Sequence, residues 1–304
     1  MNRTATARNP LVPTLVFAAL ATAIVSSLGM LLVPSISQRF DVDVATAQWM
    51  LTVNLLAGAV ATPIMGRLSD GPHKKRLLLA SLATMFVGSV MAAAAPTFGG
   101  FLAGRVLQGL SYGIVPVTIA IARRYVPPEH AQNTISTLSV TVASGIGIGY
   151  PLTGIIAGIF DYSFAFWFGA VFVLATIFVV WKVVPSGPDG RAEQHPFDFA
   201  GSCLLAVGLG SLLLTISEGP KWGWVSGTTL ALAAFSIIVL ALWVRVEIRL
   251  DHPLINLRTL KQGEVLLANI SAIALGAALY IAMSVSSLVA QADTATGYGL
   301  SLPV

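Results

Sequence analysis

Long runs of apolar residues alternate with short polar connections along the whole chain. Charge is almost absent inside these runs, and each is close to the roughly 20 residues that an α-helix needs to cross the hydrocarbon core of a bilayer. The pattern predicts nine membrane-crossing helices, near residues 12–34, 45–65, 77–95, 99–122, 134–159, 164–184, 199–217, 227–246 and 265–290. The fold class that follows is an all-α membrane protein.

The composition agrees with a membrane protein and argues against a nucleic-acid-binding one. Hydrophobic residues make up 56% of the chain and charged residues 10%, whereas soluble domains have about 25% charged residues. The net charge of +4 comes from bases that lie between apolar runs. A nucleic-acid interface would instead gather its bases on a soluble face.

The sequence also carries little that would support enzyme chemistry. Its single cysteine, Cys203, provides neither a disulfide nor a thiolate metal site. The histidines at 73, 130, 195 and 252 are scattered over connections, and the sequence has no HExxH, phosphate-loop or nucleophile-elbow motif. We therefore expect no enzyme activity, no metal site and no cofactor.

Lysine and arginine are distributed very unevenly between the two sides of the predicted membrane. Of the 17 such residues, 14 fall in segments on the same side as the N-terminus, only Arg39 and Lys221 fall on the other side, and Arg105 lies within a span. Cytoplasmic connections of membrane proteins carry an excess of these bases. The bias predicts a multi-pass protein of the cytoplasmic (plasma) membrane with a cytoplasmic N-terminus, and it places residues 66–76 inside the cell.

Two polar segments organise the chain. The connection SGPDGRAEQHPFDFAG at 186–201 follows the sixth predicted helix and is typical of a linker between helical bundles. It divides the chain into a six-helix bundle at 1–185, a linker with two additional helices at 186–264, and a ninth helix within 265–304. Residues 245–264 alternate charge with leucine and isoleucine, which fits either a helix along the membrane surface or a solvated loop whose apolar residues touch helix ends.

Three motifs occur in order on predicted helices two to five. They are GRLSD at 66–70 with a basic pair at 74–75, RVLQG at 105–109, and SGIGIGYPLTGIIAG at 144–158. Together they resemble the signatures of the major facilitator superfamily. His73 stands where that family usually has a second glycine, and Tyr150 stands where glycine usually precedes the proline of helix five.

Further stretches resemble one branch of that superfamily. AQW at 47–49 and PFDFAGSCLLAVGLGSLLLTISEGPKWGW at 196–224 look like the drug:proton antiporters with fourteen predicted helices. In that branch, two additional helices lie between two six-helix halves. The resemblance implies a six-helix N-terminal bundle, two linker helices and the first helix of a second half, so we expect a chain truncated after its ninth helix that lacks a C-terminal half.

The resemblance also implies an activity. Members of this branch export small, often amphipathic and cationic molecules by alternating access, with the proton gradient as energy source. The expected partners are a small-molecule substrate, the lipid bilayer and the missing C-terminal half. A second hypothesis is a non-transporting membrane partner, which binds a ligand or a separately encoded second half.

The segment GRLSDGPHKKR at 66–76 is the first candidate site. A carboxylate at Asp70 can accept from exposed helix N-termini, whose partial positive charge favours an anion. The resemblance implies that Asp70 latches one bundle to the other. Its implied partners are the N-terminus of a helix in the missing second half and an arginine at the end of helix four, for which Arg124 or Arg123 qualifies. The alternative is a plain turn whose bases only fix topology. The predicted latch residues are Gly66, Asp70, Lys74, Lys75, Arg76 and Arg124.

Arg105 is the second candidate, because an ionisable residue inside a span usually faces a protein interior or a watery cavity. Gln108 lies one turn further on the same face, and the resemblance assigns the pair to substrate or proton coupling. The alternative is a side chain that snorkels to the nearby membrane surface. Gln48, Trp49 and Asn54 are candidates for a cavity lining, although Trp49 also fits an anchor at the membrane interface.

The third candidate lies in helix five. Small residues at four-residue spacing permit tight helix crossing, and Pro151 removes a backbone donor and should kink the helix. The predicted hinge comprises Gly145, Gly149, Tyr150, Pro151 and Gly154, with ordinary close packing as the alternative.

The proton carrier is the least defined part of the prediction. Many members of the branch carry an acid in helix one, whereas ATAIVSSLGMLLVPSI at 21–36 contains none. Glu218 and Asp161 are the nearest candidates, and neither is well placed.

Overall fold

The structure is a computed structural model that describes residues 10–186, 198–250, 253–255, 257, 259 and 262–291. Arg3, Arg8, most of the connection at 186–201 and the stretch after 291 lie outside the described residues. Within the described part, the chain forms helices joined by turns, without a strand. The helices are α1 Leu11–Ser27, α2 Val33–Phe40, α3 Val44–Ala47, α4 Trp49–Leu68, α5 Lys74–Ala94, α6 Phe98–Leu110, α7 Ile114–Tyr125, α8 Pro128–Ile159, α9 Tyr162–Val183, α10 Phe199–Trp222, α11 Gly227–Arg249 and α12 Gly263–Gln291.

Each of the nine predicted crossings corresponds to an apolar helix or a pair of joined helices. Among the described residues, seven helical segments are long and apolar enough to cross a membrane, and two shorter apolar helices, Leu11–Ser27 and Gly263–Ala278, match the first and ninth predictions. The seven are Val44–Leu68, Lys74–Ala94, Phe98–Tyr125, Pro128–Ile159, Tyr162–Val183, Phe199–Trp222 and Gly227–Arg249. The all-α, multi-pass membrane fold class is therefore confirmed.

Two predicted spans are interrupted. The first ends at Ser27, because Gly29 has a φ of +139°, a backbone conformation that L side chains rarely adopt and that glycine adopts easily. The chain resumes as the short α2, so a single helix over 12–34 was wrong beyond residue 27. The fourth span changes to one 3₁₀ turn, Ser111–Gly113, between α6 and α7.

The described part of 245–264 distinguishes the two alternatives left open for this segment. Residues 245–249 belong to α11, and the described positions between Leu250 and α12 form no α-helix. Leu254 is instead buried against Leu205 and Trp243, with Ile255 beside it. These contacts favour the alternative, a loop whose apolar residues touch helix ends.

The first six crossings share one apolar core. Helix α5 packs against α6 and α9, α1 packs against α8 and α9, and α4 packs against α6. Helices α10 and α11 pair with each other, and α10 runs along α4, where the Thr52 and Ser217 hydroxyls lie 3.4 Å apart. Arg105, Gln108 and Asn54, described below, lie buried where these helices meet.

Close backbone approach holds α6 between α4 and α5. The point where a Cβ on Gly104 would sit is 2.7 Å from the Gly88 carbonyl oxygen in α5. On the opposite side, a Cβ on Gly109 would overlap the Asn54 carbonyl oxygen in α4. Small residues allow such crossings, which gain packing energy in a lipid environment where apolar burial alone drives little association.

Replacing Gly109 by alanine should therefore destabilise the protein. The added methyl group collides with backbone that cannot rotate away, and overpacking of this kind costs about 1–3 kcal/mol. Thermal unfolding in detergent should show a lower melting temperature for Gly109→Ala than for Gly147→Ala, because a Cβ on Gly147 meets nothing within 4 Å. Equal melting temperatures would contradict the tight crossing.

Candidate functional site

The Arg105 side chain lies inside the helical bundle and is fully buried. Its Nε donates to the Met50 carbonyl oxygen at 3.2 Å, and its Nη1 donates to Gln108 Oε1 at 2.5 Å. Gln108 Nε2 in turn donates to Ser89 Oγ at 2.9 Å. These bonds connect α4, α5 and α6 through one guanidinium, which does not snorkel to the membrane surface.

The break after α1 brings backbone close to this charge. The point where a Cβ on Gly29 would sit is 3.3 Å from Arg105 Nη2 and 2.9 Å from Met50 Cε. Glycine suits this position because of its positive φ, and a side chain here would also crowd the guanidinium. On another side, the Arg105 Cζ lies 5.7 Å from the centre of the Phe166 ring in α9, within range of a cation–π interaction.

Asn54 is buried on α4, and one of the two polar atoms of its side-chain amide has a described hydrogen bond. Its Nδ2 donates to the Tyr112 hydroxyl at 2.6 Å, whereas its Oδ1 is buried without a described hydrogen-bond donor. Tyr112 sits in the 3₁₀ turn and packs its ring against Gly58. Sequence reasoning did not select Tyr112, although its position directly after the RVLQG motif could have suggested it.

Tyr112 also lines a cavity of about 230 Å³ between α1, α4, α7 and α8. Hydroxyl groups and apolar side chains make up its wall, and none of the lining residues is charged. The lining residues are Thr22, Ala23, Ser26, Ser27, Met30, Leu55, Thr62, Tyr112, Val115, Val142 and Ile146. Such a wall offers a ligand dispersion contacts and a few hydrogen bonds.

Gln48 and Trp49 lie outside this cavity. Gln48 is exposed at the turn that joins α3 to α4, and Trp49 is half-buried at the first position of α4. Next to them, the Thr46 hydroxyl and amide donate to the Asp43 side chain. These bonds hold the pKa of the Asp43 carboxyl below its ordinary value. Of the predicted cavity residues, only Asn54 approaches the wall, through Tyr112.

The loop between α4 and α5 is held by short-range bonds. The Asp70 side chain is 67% exposed, and it pairs with Arg67 Nη1 at 3.4 Å. Lys74 is buried and donates to the Gly71 carbonyl oxygen at 2.9 Å. The glycine of Gly71-Pro72 takes part in this turn, since its amide donates to the Leu68 carbonyl oxygen at 3.1 Å.

The other predicted latch residues have separate roles. Lys75 Nζ donates to the Trp181 carbonyl oxygen at 2.6 Å and to Ser186 Oγ at 2.8 Å, which ties the start of α5 to the end of α9. Arg76 is exposed, and the Arg124 Cζ lies 5.7 Å from the Tyr125 ring centre. Gly66 allows ordinary contact with Pro116 in α7, at 4.0 Å from the position of an added Cβ.

The predicted hinge in α8 is a packing surface against α1. Gly145 approaches Ala23, and Gly149 approaches Ile24 and Ser27 so closely that an added Cβ would overlap the serine hydroxyl. Pro151 is exposed, and α8 remains one continuous helix through Pro151, from Pro128 to Ile159. Tyr150 is half-buried, and an added Cβ at Gly154 would sit 3.3 Å from Leu31.

The two acids considered as proton carriers are placed differently. Glu218 is buried on α10, and its Oε1 lies 3.8 Å from Lys221 Nζ. Asp161 is exposed before α9 and accepts from the Ser163 hydroxyl at 3.2 Å. Neither acid is a recorded partner of Arg105 or Gln108 among the described residues.

The chain is similar to known transporters over most of its length. It is 25% identical over 279 residues to YvkA of Bacillus subtilis, described as an uncharacterized MFS-type transporter, covering 91% of this chain and 62% of the relative. It is 24% identical over 234 residues to the multidrug export protein EmrB of Haemophilus influenzae, covering 76% of this chain and 46% of the relative. The chain thus spans about half to three fifths of these curated relatives.

A solved structure supports the same fold. The human organic anion transporter MFSD10 superposes with a TM-score of 0.56 at 16% identity, covering 71% of this chain and 57% of that protein.

The family model described as Major Facilitator Superfamily matches residues 15–201, which include the loop of Asp70, the Arg105 network and the α8 glycines. The chain belongs to the Major Facilitator Superfamily of membrane transporters.

Proposed function

We propose that this chain takes part in proton-driven export of small amphipathic molecules across the cytoplasmic membrane by alternating access. The observation that carries the proposal is the uncharged cavity between α1, α4, α7 and α8, whose wall includes Tyr112, the hydrogen-bond partner of the buried Asn54. Asn54 lies one turn after Met50, whose carbonyl oxygen accepts from Arg105. The name of EmrB, a multidrug export protein, supports export as the direction of transport.

The cavity wall suggests how a substrate is held. Apolar side chains such as Met30, Leu55 and Val115 offer contact area without fixed geometry, and the Ser26 and Thr62 hydroxyls can donate or accept. Ligand sites of this composition orient a molecule through few polar groups. An amphipathic molecule matches both parts of the wall, so we propose this substrate class and not one particular compound.

Alternating access also requires a second bundle. Transporters of this architecture move one bundle against another around a site near the membrane midplane. We propose that residues 1–185 form the first bundle, that 186–264 form a linker with two helices as in the fourteen-helix drug:proton antiporters, and that 265–304 begin the second bundle. The second half is then a partner of this chain, and the N-terminus and the Asp70 loop face the cytoplasm.

The exposed carboxylate of Asp70 fits a latch in this scheme. Because its recorded ion pair with Arg67 is long and solvent-exposed, little energy opposes its exchange for another partner. A helix N-terminus of the second bundle would stabilise this anion through its unpaired amides. The bonds of Lys74 and Lys75 keep the loop fixed to α5 and α9 while that exchange takes place.

Substituting Arg105 tests the proposed coupling site. The coding region that contains this chain, read to its natural stop codon, would be expressed and the product reconstituted in liposomes with an imposed proton gradient. We expect gradient-dependent movement of a lipophilic cationic dye, and we expect Arg105→Gln to reduce it about tenfold or more, because hydrogen bonds to a charged group are worth about 1.5–3 kcal/mol.

Arg39→Gln is the matched control, since Arg39 is exposed and its loss should leave dye movement unchanged. Normal dye movement by folded Arg105→Gln would contradict the coupling role. Dye binding without any gradient-driven movement in the wild type would instead support the non-transporting membrane partner.

Asp70→Asn tests the latch. The substitution keeps size and hydrogen-bonding capacity but removes the charge that a helix N-terminus stabilises by about 0.3–2 kcal/mol. Transport should fall by up to about thirtyfold, while the amount of inserted protein should stay unchanged. Asp41→Asn, at another exposed acid, should transport normally. Equal transport by Asp70→Asn and Asp41→Asn would contradict a role for Asp70 in transport.

A further inference from the structure

Two acidic side chains meet where α10 begins and α11 ends. Asp198 precedes α10, and its Oδ1 accepts from the Gly201 amide at 2.8 Å. Glu247 lies in the last turns of α11, and its Oε1 accepts from the Ile255 amide at 2.5 Å. Each carboxyl group therefore has one oxygen engaged by a backbone amide and one oxygen left over.

The two remaining oxygens share one space. Asp198 Oδ2 and Glu247 Oε2 both lie within 3.0 Å of the point where a Cβ on Gly201 would sit. Both oxygens are buried without a described hydrogen-bond donor, and the Glu247 side chain belongs to a residue that is 2% exposed. Glycine at 201 provides the room in which the two groups approach each other.

An unpaired buried donor lies next to this space. Trp243 is one helical turn before Glu247 on the same face of α11, and its Nε1 is buried without a described acceptor. Trp243 also packs against Leu205 and Leu254, which exclude water from one side. Buried polar atoms are normally satisfied, so the two carboxylate oxygens beside Gly201 call for a hydrogen-bond donor.

A proton is the ligand that satisfies this geometry. Two ionised carboxylates so close together and shielded from water repel each other, and one of them retains its proton. A protonated carboxyl donates its O–H to the neighbouring carboxylate, which satisfies both open oxygens at once. A metal ion would need more ligands, and the described residues contain no group of three His, Cys, Asp or Glu side chains that could hold one.

The nearby charges define the setting of this pair. Arg67, at the end of α4, is the cation whose charge acts on Glu247, and Asp198 is the anion that does so. On α11 itself, Arg245 and Arg249 are exposed. Arg67 is also the ion-pair partner of Asp70, at 3.4 Å.

We propose that Asp198 and Glu247 form a proton-binding site, a hydrogen-bonded pair of one carboxylic acid and one carboxylate that holds a single proton at neutral pH. Loss of the proton leaves two negative charges in a buried place, so the pair holds its proton more firmly than an exposed acid does.

Infrared spectroscopy of the purified protein in lipid nanodiscs tests the proposal. A protonated carboxyl group absorbs at a frequency separate from that of carboxylates, so its band can be followed while pH is raised. We expect the wild type to show a carboxylic acid band at neutral pH that disappears at high pH. Both Glu247→Gln and Asp198→Asn should lose the band, because the new amide N–H replaces the shared proton and the remaining acid ionises.

Glu218→Gln is the matched control, because Glu218 is a buried acid beside Lys221 and outside the pair. This substitution should leave the carboxylic acid band in place. The infrared titration of the wild-type protein tests the proposal without requiring any variant to fold. Absence of a carboxylic acid band at neutral pH in the wild type would overturn the proposal. Persistence of the band in both pair variants would overturn it as well. A sodium-dependent shift of the carboxylate bands would identify a cation site and also contradict a shared proton.

Discussion

The burial of one guanidinium constrains the first six crossings. A charge inside a membrane protein is costly unless it is hydrogen-bonded and shielded from hydrocarbon. Arg105 meets this requirement with a backbone carbonyl of α4, the amide of Gln108 and the face of Phe166. The break at Gly29 brings backbone without a side chain close to this guanidinium. The bundle is thus organised around a polar network within an otherwise apolar core.

Close packing supplies the rest of the stability. In lipid, apolar surface gains little from contact with other apolar surface, so helices associate through close fit and hydrogen bonds. Gly109 permits α4 to reach α6, and Met50, on the same face of α4 one turn before Asn54, can then present its carbonyl oxygen to Arg105. On α8, Val142 and Ile146 line the cavity, and the small residues Gly145 and Gly149 on the same helix pack against α1.

Periodicity and charge predicted the helices well, but they could not predict their interruptions. The apolar run at 12–34 looks uniform because hydropathy does not register the backbone conformation of a glycine, so the positive φ of Gly29 left no signal in the pattern. Arg105 and Gln108 stood out because a charge in a span is rare. Tyr112 and the Asp198–Glu247 pair did not, since their significance comes from neighbours that sequence spacing does not reveal. The Asp70 loop was recognised, yet its partner Arg67 depends on local geometry.

An experimental structure of the protein in lipid nanodiscs tests the central claim most directly. The measurement is the position of the Arg105 guanidinium relative to the bundle and the membrane surface. The account predicts a buried guanidinium that donates to the Met50 carbonyl oxygen and to Gln108, with Gly29 in a positive-φ conformation beside it. An Arg105 side chain extended to the headgroup region, with an uninterrupted helix through residue 34, would contradict it.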